Sequence, residues 1–401
     1  MIISPFSIFL RPGNPDFLDL PWERSLIEWR NNCSRIEDLP HGVSRHTVVF
    51  INYDGHLFAF KELYLEAAER EYNALRTMED NRLPVVKAVG YVKINNPSRQ
   101  VSILITDYLE HSQPYRSLFM HSDMSRYQDH LLDAIAGLLV QIHLSGVFWG
   151  DCSLSNTLFR RDAGELQAYL VDAETIKLFE ALTPTLRYDD LMIMQDNITS
   201  ELADLAASRL LPRNFPIFET GASIRRRYLG LWEKITSEIV LRPNEQYLIQ
   251  EHIRALNDLG FSVQELELSS VDKGSKLRLK AFVSDRNFHR DQLHALTGIE
   301  AEEKQAQQIV NEIQELKAAL TQKNKRSFSL AVAAYHWLEH IFQPFLEQLT
   351  PIIDAGVLSR TEIYCQILEH KWFLSEKAKR DVGFQAALED YLLKFSPSNL
   401  C

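Results

Sequence analysis

The stretch that decides the fold reads His143-Leu-Ser-Gly146-Val-Phe-Trp-Gly150-Asp151-Cys-Ser-Leu-Ser-Asn156, followed further on by Tyr169-Leu-Val-Asp172-Ala-Glu174. An Asn stands five residues after the first Asp, and a second Asp stands 21 residues after it, at the end of an apolar segment. This spacing is typical of a centre that transfers a phosphoryl group from ATP. One carboxylate accepts the proton of the attacking hydroxyl. The Asn and the second Asp supply oxygen ligands of the kind that Mg²⁺ prefers.

The segments around this stretch have the order that such a centre needs. Residues 131–143 (LLDAIAGLLVQIH) predict an apolar helix that a Ser-Gly pair ends. Residues 157–159 and 168–171 predict two short strands, and the Asp-Ala-Gly at 162–164 between them predicts a hairpin turn. We expect His143, which closes the helix, to be a buried structural residue. Helix, polar loop, hairpin and second Asp thus follow one another.

Residues 47–63 predict a β-hairpin that carries a lysine. Two apolar segments, TVVFINY and HLFAFKEL, are separated by an Asp-Gly pair, which is a strong tight-turn signal. Residues 58–61 (FAFK) resemble the strand that carries the phosphate-binding lysine of kinases. In that setting Ala59 contacts the adenine, and Lys61 contacts the α- and β-phosphates.

The helix predicted from about residue 64 to 78 offers an acidic partner for Lys61. Glu71 stands in the position that such a partner usually has, and Glu69 is the alternative. An ion pair of this kind holds a flexible amine in place against the phosphates. The glutamates could also simply be a solvated helix face. The Asp151, Asn156 and Asp172 spacing further along the chain favours the ion pair instead.

An apolar strand at residues 101–105 runs into a polar segment at 106–110. Its position along the chain predicts the hinge that receives adenine between two lobes. Backbone N–H and C=O groups from Thr106 to Leu109, with Tyr108 among them, would bond the base. This assignment depends on chain order, because side chains in such a segment are weakly constrained.

The segment from about residue 40 to 200 resembles the protein-kinase-like superfamily. It is more similar to the lipopolysaccharide-kinase-like and aminoglycoside-phosphotransferase-like branches than to protein kinases. The resemblance implies an α+β bilobal fold, with a β-rich N-lobe and a helical C-lobe, and it implies ATP and Mg²⁺ as cofactors. The residue roles that it implies are phosphate binding by Lys61, positioning of that lysine by Glu71, catalysis by Asp151, and metal binding by Asn156 and Asp172.

Departures from the family pattern shift the resemblance away from protein kinases. No G-x-G-x-x-G loop is present, and only Gly42 stands in the right place, so that backbone N–H groups of residues 42–46 or the Ser44 hydroxyl would have to cover the phosphates. The metal Asp is followed by Ala-Glu instead of Phe-Gly, and Glu174 is a candidate to assist the metal. No Ala-Pro-Glu follows. Thr183 instead begins the next helix, in which Asp189 or Asp190 is a candidate cap.

Composition narrows the class of protein. The chain has 401 residues, 45% of them hydrophobic and 24% charged, which is ordinary for a globular protein of two or three domains. A net charge of −11 argues against a general nucleic-acid binder. The three arginines at 225–227 are either a solvated helix face or an anchor for an acidic substrate. Four scattered cysteines form no metal or disulfide pattern, and neither a signal peptide nor a membrane span is expected, so cytoplasmic residence follows as the default.

The second half of the chain predicts mainly helices with a small α+β element, in a pattern that resembles an uncharacterised family attached to kinase-like domains. We expect three domains: an N-lobe at 1–108, a helical C-lobe at 109–243, and an accessory domain at 244–401 that contacts a protein partner or a second copy. The expected helices lie at 196–211, 223–241, 244–259, 288–296, 300–320, 329–349, 359–368 and 375–395, and the expected strands at 261–268 and 276–283.

Three functions fit these motifs. The first is an ATP- and Mg²⁺-dependent phosphotransferase that acts on a hydroxyl of a small molecule, glycan or lipid-linked sugar. The second is a pseudokinase or nucleotide sensor that acts through the C-terminal domain, which the missing glycine loop favours and the complete Lys, Glu, Asp, Asn and Asp set disfavours. The third is nucleotidyl transfer from the same fold. The sequence does not identify the acceptor.

Overall fold

The computed structural model describes residues 6–39, 45–96, 99–120, 124–242, 245, 247–271, 276–353 and 358–394. The chain divides into two compact units. Unit 1 comprises Met1–Arg160 and Ala168–Trp232, and unit 2 comprises Arg161–Gln167 and Glu233–Cys401. The three-domain division with bounds at residues 108 and 243 stays a prediction.

A six-stranded antiparallel sheet forms the first part of unit 1, with the strand order β1-β5-β6-β4-β3-β2. Its elements are β1 (Phe6–Leu10), α1 (Leu26–Trp29), β2 (Ile36–Glu37), β3 (Val48–Tyr53), β4 (His56–Tyr64), α2 (Ala67–Asp80), β5 (Ala88–Asn96) and β6 (Arg99–Asp107). The β3–β4 turn is tight because Asp54 and Gly55 both have positive φ, 55° and 87°.

Buried aromatic residues at alternate positions of β4 give the sheet one apolar face. Phe58 and Phe60 are buried against Phe17, Trp22 and Trp29 of the N-terminal segment, which covers that face. Residues between them in the strand point to the other face. The helix predicted from residue 64 was wrong at its start, because Tyr64 still pairs with Val101 in β6 and the helix begins at Ala67.

Helices form most of the second part of unit 1. Its elements are β7 (Ser112–Pro114), α3 (Tyr115–Met120), α4 (Met124–Leu144), β8 (Val147–Phe148), β9 (Thr157–Asp162), β10 (Glu165–Leu170), β11 (Lys177–Leu178), α5 (Pro184–Ala207) and α6 (Ile217–Thr236). β7, β9 and β10 form one small sheet, and β8 pairs with β11. The unit boundaries fall within the β9–β10 hairpin and within α6.

Two turns of this region are fixed by glycine. Gly146 ends α4 with a φ of 75°, and a Cβ there would lie 2.1 Å from the Phe179 carbonyl oxygen. The β9–β10 turn, as predicted, uses Ala163 and Gly164, both with positive φ. The helix expected at 196–211 begins earlier, at Pro184, because Thr183 caps it by accepting from the Leu186 N–H at 3.2 Å.

Unit 2 combines a three-stranded antiparallel sheet, ordered β12-β14-β13, with helices. Its elements are β12 (Ile239–Leu241), α7 (Tyr247–Asp258), β13 (Val263–Val271), β14 (Lys276–Val283), α8 (Phe288–Thr297), α9 (Glu303–Asn324), α10 (Leu330–Trp337), a π-helical turn (Leu338–Phe342), α11 (Gln343–Ile353), α12 (Arg360–Ala378) and α13 (Phe384–Lys394). The helix expected at 223–241 was wrong at its end, because β12 pairs with β14. The break expected between residues 368 and 375 was also wrong, since α12 runs through it.

The hairpin tip, residues 161–167, belongs to unit 2 and carries a buried acid. The Asp162 carboxylate accepts the backbone N–H groups of Lys304 and Gln305 at 3.1 and 2.8 Å, so it caps the first turn of α9. Burial, and secondarily the charge of Glu302, raise the pKa of Asp162 to about 7. The sequence marked this position only as part of a turn.

Candidate active site

Lys61 lies on the face of β4 opposite the apolar core, between β3 and β6, where Val48 and Leu104 are its strand partners. Its Nζ atom lies 3.1 Å from Glu71 Oε2 and 2.7 Å from Asp172 Oδ2. The amine is therefore shared by a carboxylate of α2 and a carboxylate that follows β10. Residues distant in sequence thus meet in one charged cluster.

Glu71, rather than the alternative Glu69, is the partner of Lys61. The Glu71 side chain is fully buried, and its second oxygen also accepts the Ala173 N–H at 3.0 Å. Glu69 faces another direction and bonds the Tyr91 hydroxyl and Lys93 Nζ, each at 2.8 Å. Because Glu69 and Glu71 are two residues apart in a helix, their carboxylates lie on different faces of α2.

The electrostatics of this cluster follow from burial. Burial raises the pKa of Glu71 to about 7, and the nearby Asp172 adds to the rise, while the charge of Lys61 opposes both. Burial lowers the pKa of Lys61, but Glu71 and Asp172 more than offset that effect, so the pKa is raised overall. Lys61 is therefore charged across the neutral pH range.

Backbone pairing places Asp172 beside the loop that carries Asp151. The Leu170 N–H bonds the Pro84 carbonyl at 3.0 Å, and the Val171 N–H bonds the Asn156 carbonyl at 3.1 Å. The end of β10 is thus tied both to the segment after α2 and to the end of the loop at residues 149–156, which is named the catalytic loop here after the role predicted for Asp151. These ties explain how Asn156 and Asp172 come near each other.

Asn156 also binds the Asp151 residue directly. Its Nδ2 group donates to the Asp151 carbonyl at 3.0 Å and to Asp151 Oδ2 at 3.2 Å. Both amide hydrogens face acceptors, so the amide oxygen Oδ1 is the atom left for a cation. This orientation fits the metal-binding role that the sequence predicts for Asn156.

Helix α5 supports the catalytic loop with residues that the sequence did not identify. Asp190 accepts the N–H groups of Trp149 and Gly150 at 2.7 and 2.9 Å. Glu201 accepts those of Leu154 and Ser155 at 2.7 and 3.1 Å. Asp190 is not the helix cap that was predicted, because α5 begins at Pro184; it is fully buried within the helix.

The same Asp190 holds His143. The His143 Nε2 atom lies 3.1 Å from Asp190 Oδ2, and its Nδ1 atom lies 2.9 Å from the Tyr228 hydroxyl. The ring is 2% exposed and is bonded at both nitrogens. His143 therefore has the structural role that was expected of it.

Glu174 is the remaining predicted metal residue. Its carboxylate lies 3.0 Å from His46 Nε2, and its backbone N–H donates to Asp172 Oδ1 at 3.1 Å. Among the described residues, no group of three or more His, Cys, Asp or Glu side chains forms a metal site. The oxygen atoms nearest to a possible cation position are therefore the Asn156 amide oxygen and the Asp172 carboxylate, with Glu174 adjacent in sequence.

The predicted adenine side is partly described. Ala59 is paired with Thr106 across β4 and β6, and Thr106 is buried. Tyr108 follows, with its ring 5.5 Å from that of Phe50. The Tyr108 N–H is already bonded to the Leu57 carbonyl at 3.0 Å. Gly42 and Ser44, predicted to cover the phosphates, lie outside the described residues.

The structure thus contains a sheet strand with a paired lysine, a polar loop with Asp and Asn, and a hairpin followed by a second Asp, which are the features of the kinase-like resemblance. Residues 56–191 match the model of the lipopolysaccharide kinase (Kdo/WaaP) family, and residues 230–395 match a domain of unknown function, DUF4032. Both the kinase-like resemblance and the uncharacterised C-terminal domain are thereby confirmed. The mixed α+β class, with a β-rich N-terminal region and a helical C-terminal half, is also confirmed.

A comparison with curated proteins finds no match. Several solved structures are similar. "WaaP in complex with acyl carrier protein" has 19% identity, a TM-score of 0.34, and coverage of 57% of this chain and all of that chain. An aminoglycoside-3'-phosphotransferase of type VIII has 16% identity, a TM-score of 0.35, and coverage of 52% and 91%. The BubR1 kinase domain has 14% identity, a TM-score of 0.28, and coverage of 37% and 49%. At these TM-scores the similarities carry no conclusion about the chain.

Proposed function

We propose that unit 1 is an ATP- and Mg²⁺-dependent phosphotransferase that moves the γ-phosphoryl group to a hydroxyl of a small molecule, glycan or lipid-linked sugar. The observation that carries the proposal is the position of Lys61 Nζ between Glu71 and Asp172, at 3.1 and 2.7 Å. A lysine kept charged and held in place by two carboxylates is suited to binding phosphates. The match of residues 56–191 to a kinase family supports the same reading.

The phosphate end of the site would use Lys61 for the α- and β-phosphates, with Glu71 holding the amine. Asn156 Oδ1 and the Asp172 carboxylate are hard oxygen ligands that suit Mg²⁺, with Glu174 as an assisting residue. When bound, Mg²⁺ neutralises charge on the β- and γ-phosphates. Binding of nucleotide would release Asp172 from its direct contact with Lys61, because both groups then have ligands of their own.

The Asp151 carboxylate would act on the acceptor hydroxyl. As the hydroxyl oxygen forms a bond to the γ-phosphorus, its proton passes to Asp151, and the bond from phosphorus to the bridging oxygen breaks to leave ADP. Asn156 and the surrounding loop keep this carboxylate in place. Catalysis by such a site consists mainly of positioning and charge stabilisation.

The adenine would lie against Ala59, Thr106 and Tyr108. The N–H groups of Asp107 and Tyr108 are already bonded to carbonyls, at 2.9 and 3.0 Å. We therefore assign the base contacts to the remaining backbone groups between Thr106 and Leu109.

Two further proposals concern the protein as a whole. We assign it to the cytoplasm, which the scattered cysteines favour. No helix in the described part of the chain is long and apolar enough to cross a bilayer. We assign unit 2 to contact with a protein partner or a second copy; exposed Trp372 and Phe373 on α12 support this role.

The test replaces Asp151 by Asn and measures both ATP binding and phosphoryl turnover. The variant should bind ATP with Mg²⁺ nearly as wild type does, while turnover falls about 10²- to 10⁴-fold, because the proton acceptor is lost. Turnover includes transfer to water, so that no acceptor need be known. Mass spectrometry of products distinguishes a transferred phosphoryl group from a transferred nucleotidyl group.

The control is Asp189→Asn, which makes the same chemical change at an exposed position of α5. It should leave both measurements unchanged. Turnover that persists in Asp151→Asn would show that Asp151 is not the base. ATP binding without any turnover in wild type would instead support a nucleotide sensor.

A further inference from the structure

Asn197, on α5, contacts the Asp151 carboxylate from a helix that the motifs do not include. Its Nδ2 group donates to Asp151 Oδ1 at 2.9 Å and to the Cys152 carbonyl at 3.3 Å. Asn156 donates to the other carboxylate oxygen, Oδ2, at 3.2 Å. Each oxygen of the proposed base therefore has its own amide donor.

The orientation of the Asn197 amide is determined by its partners. The Asp151 carboxylate and the Cys152 carbonyl can only accept, and the Nδ2 group has two hydrogens to give. A flipped amide would bring its oxygen against two acceptors. The donor side of Asn197 therefore faces the catalytic loop.

These two amides fix the plane of the carboxylate. The terminal torsion of an Asp side chain is broad, so an unbonded carboxylate samples many orientations. One donor on each oxygen removes that freedom, while each oxygen keeps a lone pair for the acceptor hydroxyl. A carboxylate aimed in advance is what a positioning mechanism needs.

The loop backbone has one long bond to Asn197, at the Cys152 carbonyl, and four shorter ones to other residues of α5. Asp190 and Glu201 lie seven residues before and four residues after it, on the same face of α5. They bond the backbone at the two ends of the loop, at residues 149–150 and 154–155. Loss of Asn197 should therefore free the Asp151 side chain while the loop keeps its path.

We propose that Asn197 is a positioning residue that orients the Asp151 carboxylate for phosphoryl transfer. The expected effect on kcat rests on the function proposed above. The expected effect on the orientation of the Asp151 carboxylate does not. Three polar residues of α5 bond the catalytic loop: Asp190, Asn197 and Glu201. Of these three, only Asn197 bonds the Asp151 side chain.

The test variant is Asn197→Leu, which has a similar size and no donor. Asn197→Asp, which has the same shape and places a carboxylate against Asp151, serves as a second variant in case the first fails to fold. Asp196→Leu is the control, because Asp196 is an exposed neighbour on α5. In both Asn197 variants kcat should fall about 10- to 100-fold with the KM for ATP unchanged. The control should match wild type.

Crystal structures of the variants provide the second measurement. In Asn197→Leu the Asp151 carboxylate should leave its wild-type orientation or occupy several, while residues 149–156 keep their backbone positions. A single unchanged Asp151 orientation, or an unchanged kcat, would overturn the inference. If wild type shows no phosphoryl turnover, the proposed function fails, and the orientation of Asp151 still decides the role of Asn197.

Discussion

Replacement of Lys61 by Met removes the charge that compensates two carboxylates. The amine is mostly buried and lies within 3.2 Å of both oxygens of Glu71, as well as 2.7 Å from Asp172. Loss of one partner from a buried pair typically costs about 3–5 kcal/mol, because the other charge is left uncompensated. Asp172 is partly exposed, with 23% of its side chain accessible, so water screens part of the cost. We expect a loss of about 3 kcal/mol in the free energy of unfolding at pH 8.

The cost of Lys61→Met should depend on pH. The charge of Lys61 is what lowers the pKa of Glu71 against the effect of burial, so that pKa, about 7 in the wild type, should rise further in the variant. A raised pKa in the folded state gives stability that is present at low pH and is lost as pH rises through it. The penalty should therefore be smaller at pH 6, where Glu71 is protonated, than at pH 8.

Urea unfolding at both pH values measures the penalty, and calorimetry measures ATP binding with Mg²⁺. The affinity for ATP should fall about 10- to 100-fold, the usual worth of a hydrogen bond to a charged group. Lys93→Met is the matched control, since Lys93 also contacts two glutamates, Glu66 and Glu69, at 3.2 and 2.8 Å. These side chains are more exposed than those of the Lys61 cluster, with 26% of Lys93 accessible against 11% of Lys61, so the control should resemble wild type more closely. If Lys61→Met were as stable as Lys93→Met and bound ATP normally, the reasoning would be refuted.

Two further predictions concern groups outside the Lys61 cluster. Asp162→Asn removes a carboxylate whose pKa is raised to about 7 by burial, so the wild type should lose about 2–3 kcal/mol of stability relative to the variant between pH 5 and pH 8; a gap in unfolding free energy that does not change with pH would contradict this. Glu201→Gln leaves only one acceptor for the N–H groups of Leu154 and Ser155, so it should lower the unfolding free energy by about 1–3 kcal/mol. Urea unfolding beside the exposed control Glu219→Gln measures that loss, and equal stability of the two would count against the loop-support role.

Local signals predicted much of the fold. The Asp-Gly turn, the alternation in β4 and the glycine that ends α4 each act within a few residues, so their structures follow from the sequence. The contact between Lys61 and Glu71 follows from the spacing between a strand and the helix after it. These features need no knowledge of distant parts of the chain.

The features that the sequence did not reveal depend on distant partners. Asn197 and Glu201 bond a loop that lies 46 and 47 residues earlier in the chain, and on a helix such residues have the appearance of an ordinary polar face. Their spacing of four, with Asp190 seven residues before, was the one available signal. The N-terminal cover of the sheet was also missed, because Phe17 and Trp22 lie in a segment without strand or helix periodicity.

The position of a metal ion beside bound nucleotide tests most directly whether Lys61, Asn156 and Asp172 form an ATP- and metal-binding site. Crystals grown with a non-hydrolysable ATP analogue and Mn²⁺ would reveal the ion by its anomalous scattering. We expect Mn²⁺ to be bound by Asn156 Oδ1 and the Asp172 carboxylate, with Lys61 Nζ moved from Asp172 to the phosphates. Nucleotide bound elsewhere, or an ion that avoids both Asn156 and Asp172, would contradict it.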